Sequence, residues 1–255
     1  MKMKKTARLL AWLLCLCMVF PMLVSCAKTE EVTELTDEDL QSEEYAEIVD
    51  GIDPETDTDL EALRASAEDE SLVGTSVQYS NSKLVEIRRD SPNKSSRDGT
   101  KIDTITIHCM AGQLSVELCG EVFRKKEAKA SSNYGIGSDG RVALYVEEQY
   151  RSWCSSNDSN DKRAVTIEVA SDSFSPYKVN DKAYKSLIRL VTDICKRNGI
   201  EKLVWSTDKK ERIQHTNGAN MTVHRDFANK ACPGQYLLDR MGEIADQVNK
   251  NLGAK

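Results

Sequence analysis

Alternating apolar and polar positions predict the strands of this chain. In residues 102–108 (IDTITIH), polar and apolar positions alternate from Thr104 onward, which is typical of a strand with one buried face. Residues 163–170 (RAVTIEVA) form a second strand candidate. Asp139-Gly140 is a turn signal, and residues 141–146 after it are predicted to be the second arm of a hairpin. A short strand is also predicted at residues 203–205.

Apolar positions with helical spacing predict three helices. Ser115 is a candidate N-cap for a helix that runs to about residue 126. Residues 181–197 carry a continuous apolar stripe, and Asn198-Gly199 supplies the C-cap. Residues 234–252 form a terminal amphipathic helix. Because strands and helices interleave, the fold class is predicted to be α/β (α+β) around a central sheet.

Charge is distributed unevenly along the 255 residues. The net charge of −6 combines +4 over residues 1–26, −16 over residues 27–75 and +6 over the remainder. A mildly cationic domain behind an acidic segment suits an anionic polymer such as a bacterial cell wall. No run of basic and aromatic residues suggests nucleic acid, so we expect no nucleic-acid partner.

The N-terminus is predicted to be an export signal. Four basic residues precede an apolar stretch of 16 residues, short of the roughly 20 that a membrane span needs. The sequence Leu23-Val24-Ser25-Cys26 resembles a lipobox, in which the Cys receives a lipid anchor. The alternatives are an ordinary secretory signal and an uncleaved anchor. We expect a lipoprotein on the outer face of the bacterial cytoplasmic membrane, or a secreted protein.

Three regions follow from these patterns. Residues 1–26 are the lipoprotein-type signal peptide, with Cys26 as the lipid attachment site. Residues 27–78 are predicted to be a disordered acidic tether. Residues 79–255 are predicted to form a single folded domain, which carries the candidate site described below.

The predicted domain contains an odd number of cysteines. They are Cys109, Cys119, Cys154, Cys195 and Cys232. If one binds a metal ion, four remain, which is enough for two disulfides or none, and the sequence does not decide between them. The odd count also allows a lipoprotein with a redox-linked structural role.

Two histidines and one cysteine form a candidate metal site. His108 ends the first predicted strand, and His224 lies eight residues before Cys232. Two imidazoles and a thiolate suit zinc, and three protein ligands leave a fourth position open, as in catalytic zinc sites. The third histidine, His215, lies in a polar loop and is expected to be solvated.

Four segments around these residues carry a family resemblance. They are TITIHCMAG, SSNYGIGSDGRV, SWCSSNDSNDKRAVTIEVA and MTVHRDFANKACPGQYL. They resemble the zinc-dependent N-acetylmuramoyl-L-alanine amidases, which are related to phage lysozyme-type amidases and peptidoglycan recognition proteins. The resemblance spans roughly residues 100–240. It implies a central mixed β-sheet flanked by helices, one Zn²⁺ on His108, His224 and Cys232, and peptidoglycan as the substrate. We expect the protein to be a monomer.

The resemblance also implies roles for further residues. Lys230 would polarise the scissile carbonyl, and Glu168 matches the catalytic Glu of one branch of the family. Another branch uses a Tyr before the Asp-Gly hairpin, but this chain has Ser132 there. The candidate substrate contacts are Asn133, Tyr134, Trp153, Cys154 and Asn160. The alternative function is a catalytically weak or inactive peptidoglycan-binding lipoprotein, although all three expected metal ligands are present.

Overall fold

Two sheets form the β-structure of residues 79–254, the part of the chain that the computed structural model describes. The predicted signal peptide, Cys26 and the acidic tether lie outside these residues. The strands are β1 (Ile87–Arg88), β2 (Lys94–Ser96), β3 (Thr104–Cys109), β4 (Tyr134–Ile136), β5 (Val142–Leu144), β6 (Tyr150–Ser152), β7 (Ala164–Val169) and β8 (Met221–Val223).

The larger sheet is mixed. Its six strands follow the order β1-β5-β4-β7-β3-β8, while β2 and β6 form a separate antiparallel pair. The pairs β4–β7, β7–β3 and β3–β8 are parallel. Strands β4 and β5 form the antiparallel hairpin predicted around Asp139-Gly140. The predicted class, an α/β domain with a central mixed sheet, is therefore confirmed.

Six α-helices accompany the sheets among the described residues. They are α1 (Val116–Phe123), α2 (Asp158–Arg163), α3 (Asp181–Asn198), α4 (Lys209–Gln214), α5 (Gly234–Leu238) and α6 (Met241–Leu252). Ser115 caps α1 as predicted, because its side chain accepts a hydrogen bond from the Leu118 amide. Gly199 closes α3 at φ 66°, a left-handed conformation that favours glycine. None of these helices has the length and apolar character that a membrane span requires.

Two predicted elements differ in the structure. Residues 203–205 do not form a strand, because asparagine side chains replace the strand ladder there. The Leu203 amide donates to Asn249 Oδ1 at 2.8 Å, and the Val204 amide donates to Asn220 Oδ1 at 2.8 Å. The predicted terminal helix is divided in two, because Arg240 has non-helical backbone angles (φ −107°, ψ 2°) between α5 and α6.

The two faces of the larger sheet differ in chemistry. Ile105, Ile107 and Ile167 belong to the apolar core that also contains buried residues of α3 and α6. Strand alternation places Thr106 and Thr222 on the opposite face, where their hydroxyl oxygens are 2.7 Å apart. This second face is buried but polar, and it leads to the carboxyl ends of β3, β7 and β8.

A buried arginine connects the smaller sheet to the rest of the domain. Arg97 is 1% exposed and donates to four backbone carbonyls at 2.6–2.8 Å. The acceptors belong to Glu148, Asp161, Lys162 and Ala164. Each of these carbonyls needs a partner, because a buried polar group without a hydrogen bond is costly.

We predict that Arg97→Met lowers the free energy of unfolding by about 3 kcal/mol or more, since several buried acceptors lose their donor together. Urea denaturation measures the effect. The matched control is Lys101→Met, a change at an exposed position that should stay within about 0.5 kcal/mol of the parent. Equal stability of the Arg97→Met variant and the parent would contradict the structural role of Arg97.

Candidate active site

The site begins with a row of side chains at the carboxyl ends of parallel strands. In the register between β3 and β7, His108 lies opposite Glu168. Between β3 and β8, Ile107 lies opposite Val223, so His224 follows beside His108. His108 Nδ1 is 4.0 Å from Glu168 Oε1, and the two histidine ring centroids are 5.0 Å apart. The sheet therefore brings two imidazoles and a carboxylate together from three separate segments.

Cys232 completes this cluster from the loop after β8. The Arg225 amide donates to the Cys232 carbonyl at 3.2 Å, which closes the loop. Cys232 Sγ lies 3.4 Å from His108 Nδ1 and also accepts a hydrogen bond from the Cys109 amide at 3.4 Å. One potential ligand atom each from His108, His224 and Cys232 lies within 4.8 Å of the others, so the three could hold one metal ion.

Burial determines the protonation of these groups. The pKa of His108 lies well below its ordinary value because of burial and the neighbouring His224. Burial and the Lys230 charge lower the pKa of His224 to about 4. Both rings are therefore neutral at pH 7, the form in which imidazole binds metals. Burial also raises the pKa of the Cys232 thiol and of the Glu168 carboxyl.

These properties fit a divalent metal ion. Without a cation, the buried site favours a neutral thiol and a neutral carboxyl, and a bound cation would offset the cost of ionising both. His108 Nε2 and Glu168 Oε2 are buried and have no hydrogen-bond partner within residues 79–254. Two imidazoles and a thiolate form a donor set that suits zinc.

A buried ion pair supports the second histidine. The Asp226 carboxylate accepts hydrogen bonds from Arg212 at 2.9 and 2.5 Å and from the Val223 amide at 3.1 Å. These bonds hold the 3₁₀ turn His224–Asp226 against α4. Ser156 Oγ lies 3.2 Å from His224 Nε2 and adds a polar contact to the ring.

A cavity of about 300 Å³ opens beside the cluster. Glu168, His224, Lys230 and Cys232 line it, as do Trp153 and Cys154. Trp153 is held by a hydrogen bond from its Nε1 to Ser95 Oγ at 2.9 Å. Cys154 Sγ is 3.9 Å from Glu168 Oε1. The cavity thus contains the residues predicted for proton handling and two of the predicted substrate contacts.

Comparison with known families gives this arrangement a context. The family profile described as N-acetylmuramoyl-L-alanine amidase (Amidase_2) matches residues 98–235, more than half of the chain. The chain belongs to this amidase family. Membership supports a peptidoglycan amidase activity. No curated protein matches the chain.

Several solved structures of amidases and endolysins are similar to this amidase. The catalytic domain of XlyA matches with 15% identity and a TM-score of 0.47, covering 64% of this chain and 97% of that domain. AmpD matches with 18% identity and a TM-score of 0.47 over 62% of this chain and 93% of that one. The amidase LysC from Clostridium intestinale URNW matches with 14% identity and a TM-score of 0.45, over 66% and 98% of the two chains.

Three residues predicted as substrate contacts do not line the cavity, because their side chains are buried in internal hydrogen bonds. Asn133 donates to the carbonyls of Val146 and Tyr150. Tyr134 lies in the core, and its hydroxyl donates to Glu148 Oε1 at 2.6 Å. Asn160 bonds to the Thr106 and Thr222 hydroxyls and so supports the polar face of the sheet.

The structure also shows whether the cysteines form disulfides, and it contains an ion pair that the sequence did not predict. All five cysteines of residues 79–254 are free, which agrees with the alternative of no disulfide. Cys109 belongs to the core, as strand alternation requires for the residue after His108. The Arg212–Asp226 pair was missed. The only sequence signal for it was an acidic residue two positions after His224 in a segment that is otherwise partly apolar.

Proposed function

We propose that this amidase is zinc-dependent and hydrolyses the amide bond between the lactyl carbonyl of N-acetylmuramic acid and L-alanine in peptidoglycan. The observation that carries the proposal is the convergence of His108, His224 and Cys232 within 4.8 Å, next to Glu168. These three residues would hold one Zn²⁺, which supplies Lewis acidity when bound. Family membership supports the class of substrate.

Glu168 is the proposed general base and acid. Its carboxylate takes one proton from the attacking water as the water oxygen bonds to the scissile carbonyl carbon. The C–N bond then breaks, and Glu168 returns the proton to the nitrogen of the departing L-alanine. Burial supports this role, because it raises the pKa of the Glu168 carboxyl and so strengthens its carboxylate as a base.

Lys230 and Trp153, which both line the cavity, complete the proposed machinery. The Lys230 ammonium stabilises the negative charge that develops on the carbonyl oxygen. The indole of Trp153 offers a flat apolar surface for a sugar ring or a peptide methyl group. Cys154 lies beside Glu168, where its thiol can contact the substrate.

We also propose where this reaction takes place. A lipid on Cys26 would anchor the protein to the outer face of the cytoplasmic membrane, and residues 27–78 would let the catalytic domain reach wall strands. The net charge of −16 over residues 27–75 supports an extended tether through self-repulsion. The protein would act as a monomer.

Removal of the metal tests the proposal. Treatment with a chelator should abolish the release of peptides from purified peptidoglycan, and one equivalent of Zn²⁺ should restore it. Mass spectrometry of the digest should find free L-alanine amino termini and intact lactyl groups. Full activity in metal-free protein, or cleavage at another bond, would refute the proposed reaction.

We predict that Glu168→Gln lowers kcat by about 10²–10⁴-fold, because glutamine cannot transfer the proton. The zinc content of the purified variant should stay near one equivalent, since the three metal ligands remain. The matched control is Glu121→Gln on the exposed side of α1, which should retain parental kcat. A Glu168→Gln enzyme with parental kcat and normal zinc content would exclude Glu168 as the base.

A further inference from the structure

A second cavity adjoins the catalytic one near the β8 end of the sheet. We call it the basic pocket. Its lining residues are Lys209, Arg225, Phe227, Ala228, Asn229 and Lys230. Asn229 and Lys230 also line the catalytic cavity, so the two spaces are direct neighbours. Three of the six lining residues are cationic and none is acidic, which favours an anionic ligand.

Arg225 is the residue best placed to bind that anion. Its side chain is half-buried, and its Nη2 donates to the Ala231 carbonyl, which holds the guanidinium in place. Its Nε is buried and has no hydrogen-bond partner within residues 79–254. A guanidinium held by one carbonyl, with an unused N–H, is suited to a carboxylate, which can accept two parallel hydrogen bonds.

The position of the pocket along the sheet indicates which part of the substrate it meets. The Ser131 amide donates to the Trp153 carbonyl, so Trp153 lies near the segment that leads into β4. Arg225 lies two residues after the end of β8, and Lys209 Nζ donates to the Arg225 carbonyl at 3.1 Å. The order β4-β7-β3-β8 therefore places Trp153 and the basic pocket on opposite sides of Glu168 and His108.

We propose that the basic pocket binds a carboxylate of the stem peptide, namely the free α-carboxylate of the glutamate that follows L-alanine through a γ-linkage. This inference rests on the proposed function. With the aromatic side of the cavity facing the sugar, the peptide leaves the scissile bond past Lys230 toward Arg225. The pocket then discriminates a stem peptide with a free carboxylate from one in which the same position is amidated.

Two substrates that differ only at this carboxylate test the proposal. One is N-acetylmuramoyl-L-alanyl-γ-D-glutamyl-L-lysine, and the other carries isoglutamine at the second position of the peptide. We expect the parent enzyme to cleave the acid with at least about tenfold higher kcat/KM, the size of one lost charge-assisted hydrogen bond. Arg225→Gln should bring the two values together, and Arg225→Lys should retain part of the preference.

Arg225 also contacts the loop that carries Cys232, so a second position separates binding from folding. Lys209→Gln should reduce the preference for the acid. Lys210→Gln removes the same charge from the next exposed residue, which does not line the pocket, and should leave the preference unchanged. If both variants reduced it equally, the preference would come from the overall field of the domain and the proposal would be wrong.

Calorimetry with the product peptides gives a readout that does not depend on catalysis. L-alanyl-γ-D-glutamyl-L-lysine should bind the parent at least about tenfold more tightly than its amidated counterpart, and Arg225→Gln should remove the difference.

Equal binding and equal cleavage of acid and amide would overturn the proposal while leaving the proposed function intact. If neither substrate is cleaved, the proposed function fails, and the binding difference alone decides on the pocket. A different outcome is that glycerol phosphate displaces both peptides while the protein binds acid and amide equally. That result would identify a phosphate group of a wall polymer as the ligand and would overturn the proposal.

Discussion

The parallel register of β3 with its two neighbours is the constraint on which the site depends. Because side chains alternate between faces, a shift of one residue would move His108 to the apolar core. The observed register sets Thr106 beside Thr166 and Thr222. Two residues further along β3, on the same face, it sets His108 beside Glu168. Hydrogen bonds to Asn160 and Asn133 satisfy the threonine hydroxyls, so the polar face can be buried and can end in a functional cluster.

Burial then determines what the cluster can do. The imidazoles are held neutral, and the thiol and carboxyl are costly to ionise without a positive charge nearby. A site of this kind favours the binding of a cation, which would let the proposed base Glu168 ionise. Lys230 adds a positive charge at the cavity wall, on the side that leads to the basic pocket.

The sequence was sufficient for features encoded by local patterns. Alternation predicted β3 and β7, a capping serine predicted the start of α1, and Gly199 predicted the end of α3. Family resemblance selected the metal-site residues, which the structure brings together although they are up to 124 residues apart in the chain.

Features set by tertiary contacts were not predictable from the sequence. Asn133 and Asn160 have the polarity of surface residues, yet they satisfy buried groups of the sheet, so composition suggested substrate contacts instead. The amides at residues 203–204 bond to asparagine side chains, which no local pattern encodes. The basic pocket likewise depends on α4 meeting the loop after β8, which sequence spacing does not reveal.

The proposed metal site is open and has three protein ligands, and X-ray absorption at the zinc edge of the purified protein is the decisive measurement. We expect one sulfur ligand at about 2.3 Å and two imidazole nitrogens at about 2.0–2.1 Å, with an oxygen ligand in the fourth position. Cys232→Ala should remove the sulfur signal. A second group that could hold an ion consists of His108, Cys154 and Glu168. A sulfur ligand in that group would come from Cys154 and would survive the Cys232→Ala change. Two sulfur ligands, or a sulfur signal that survives in Cys232→Ala, would exclude this set of ligands.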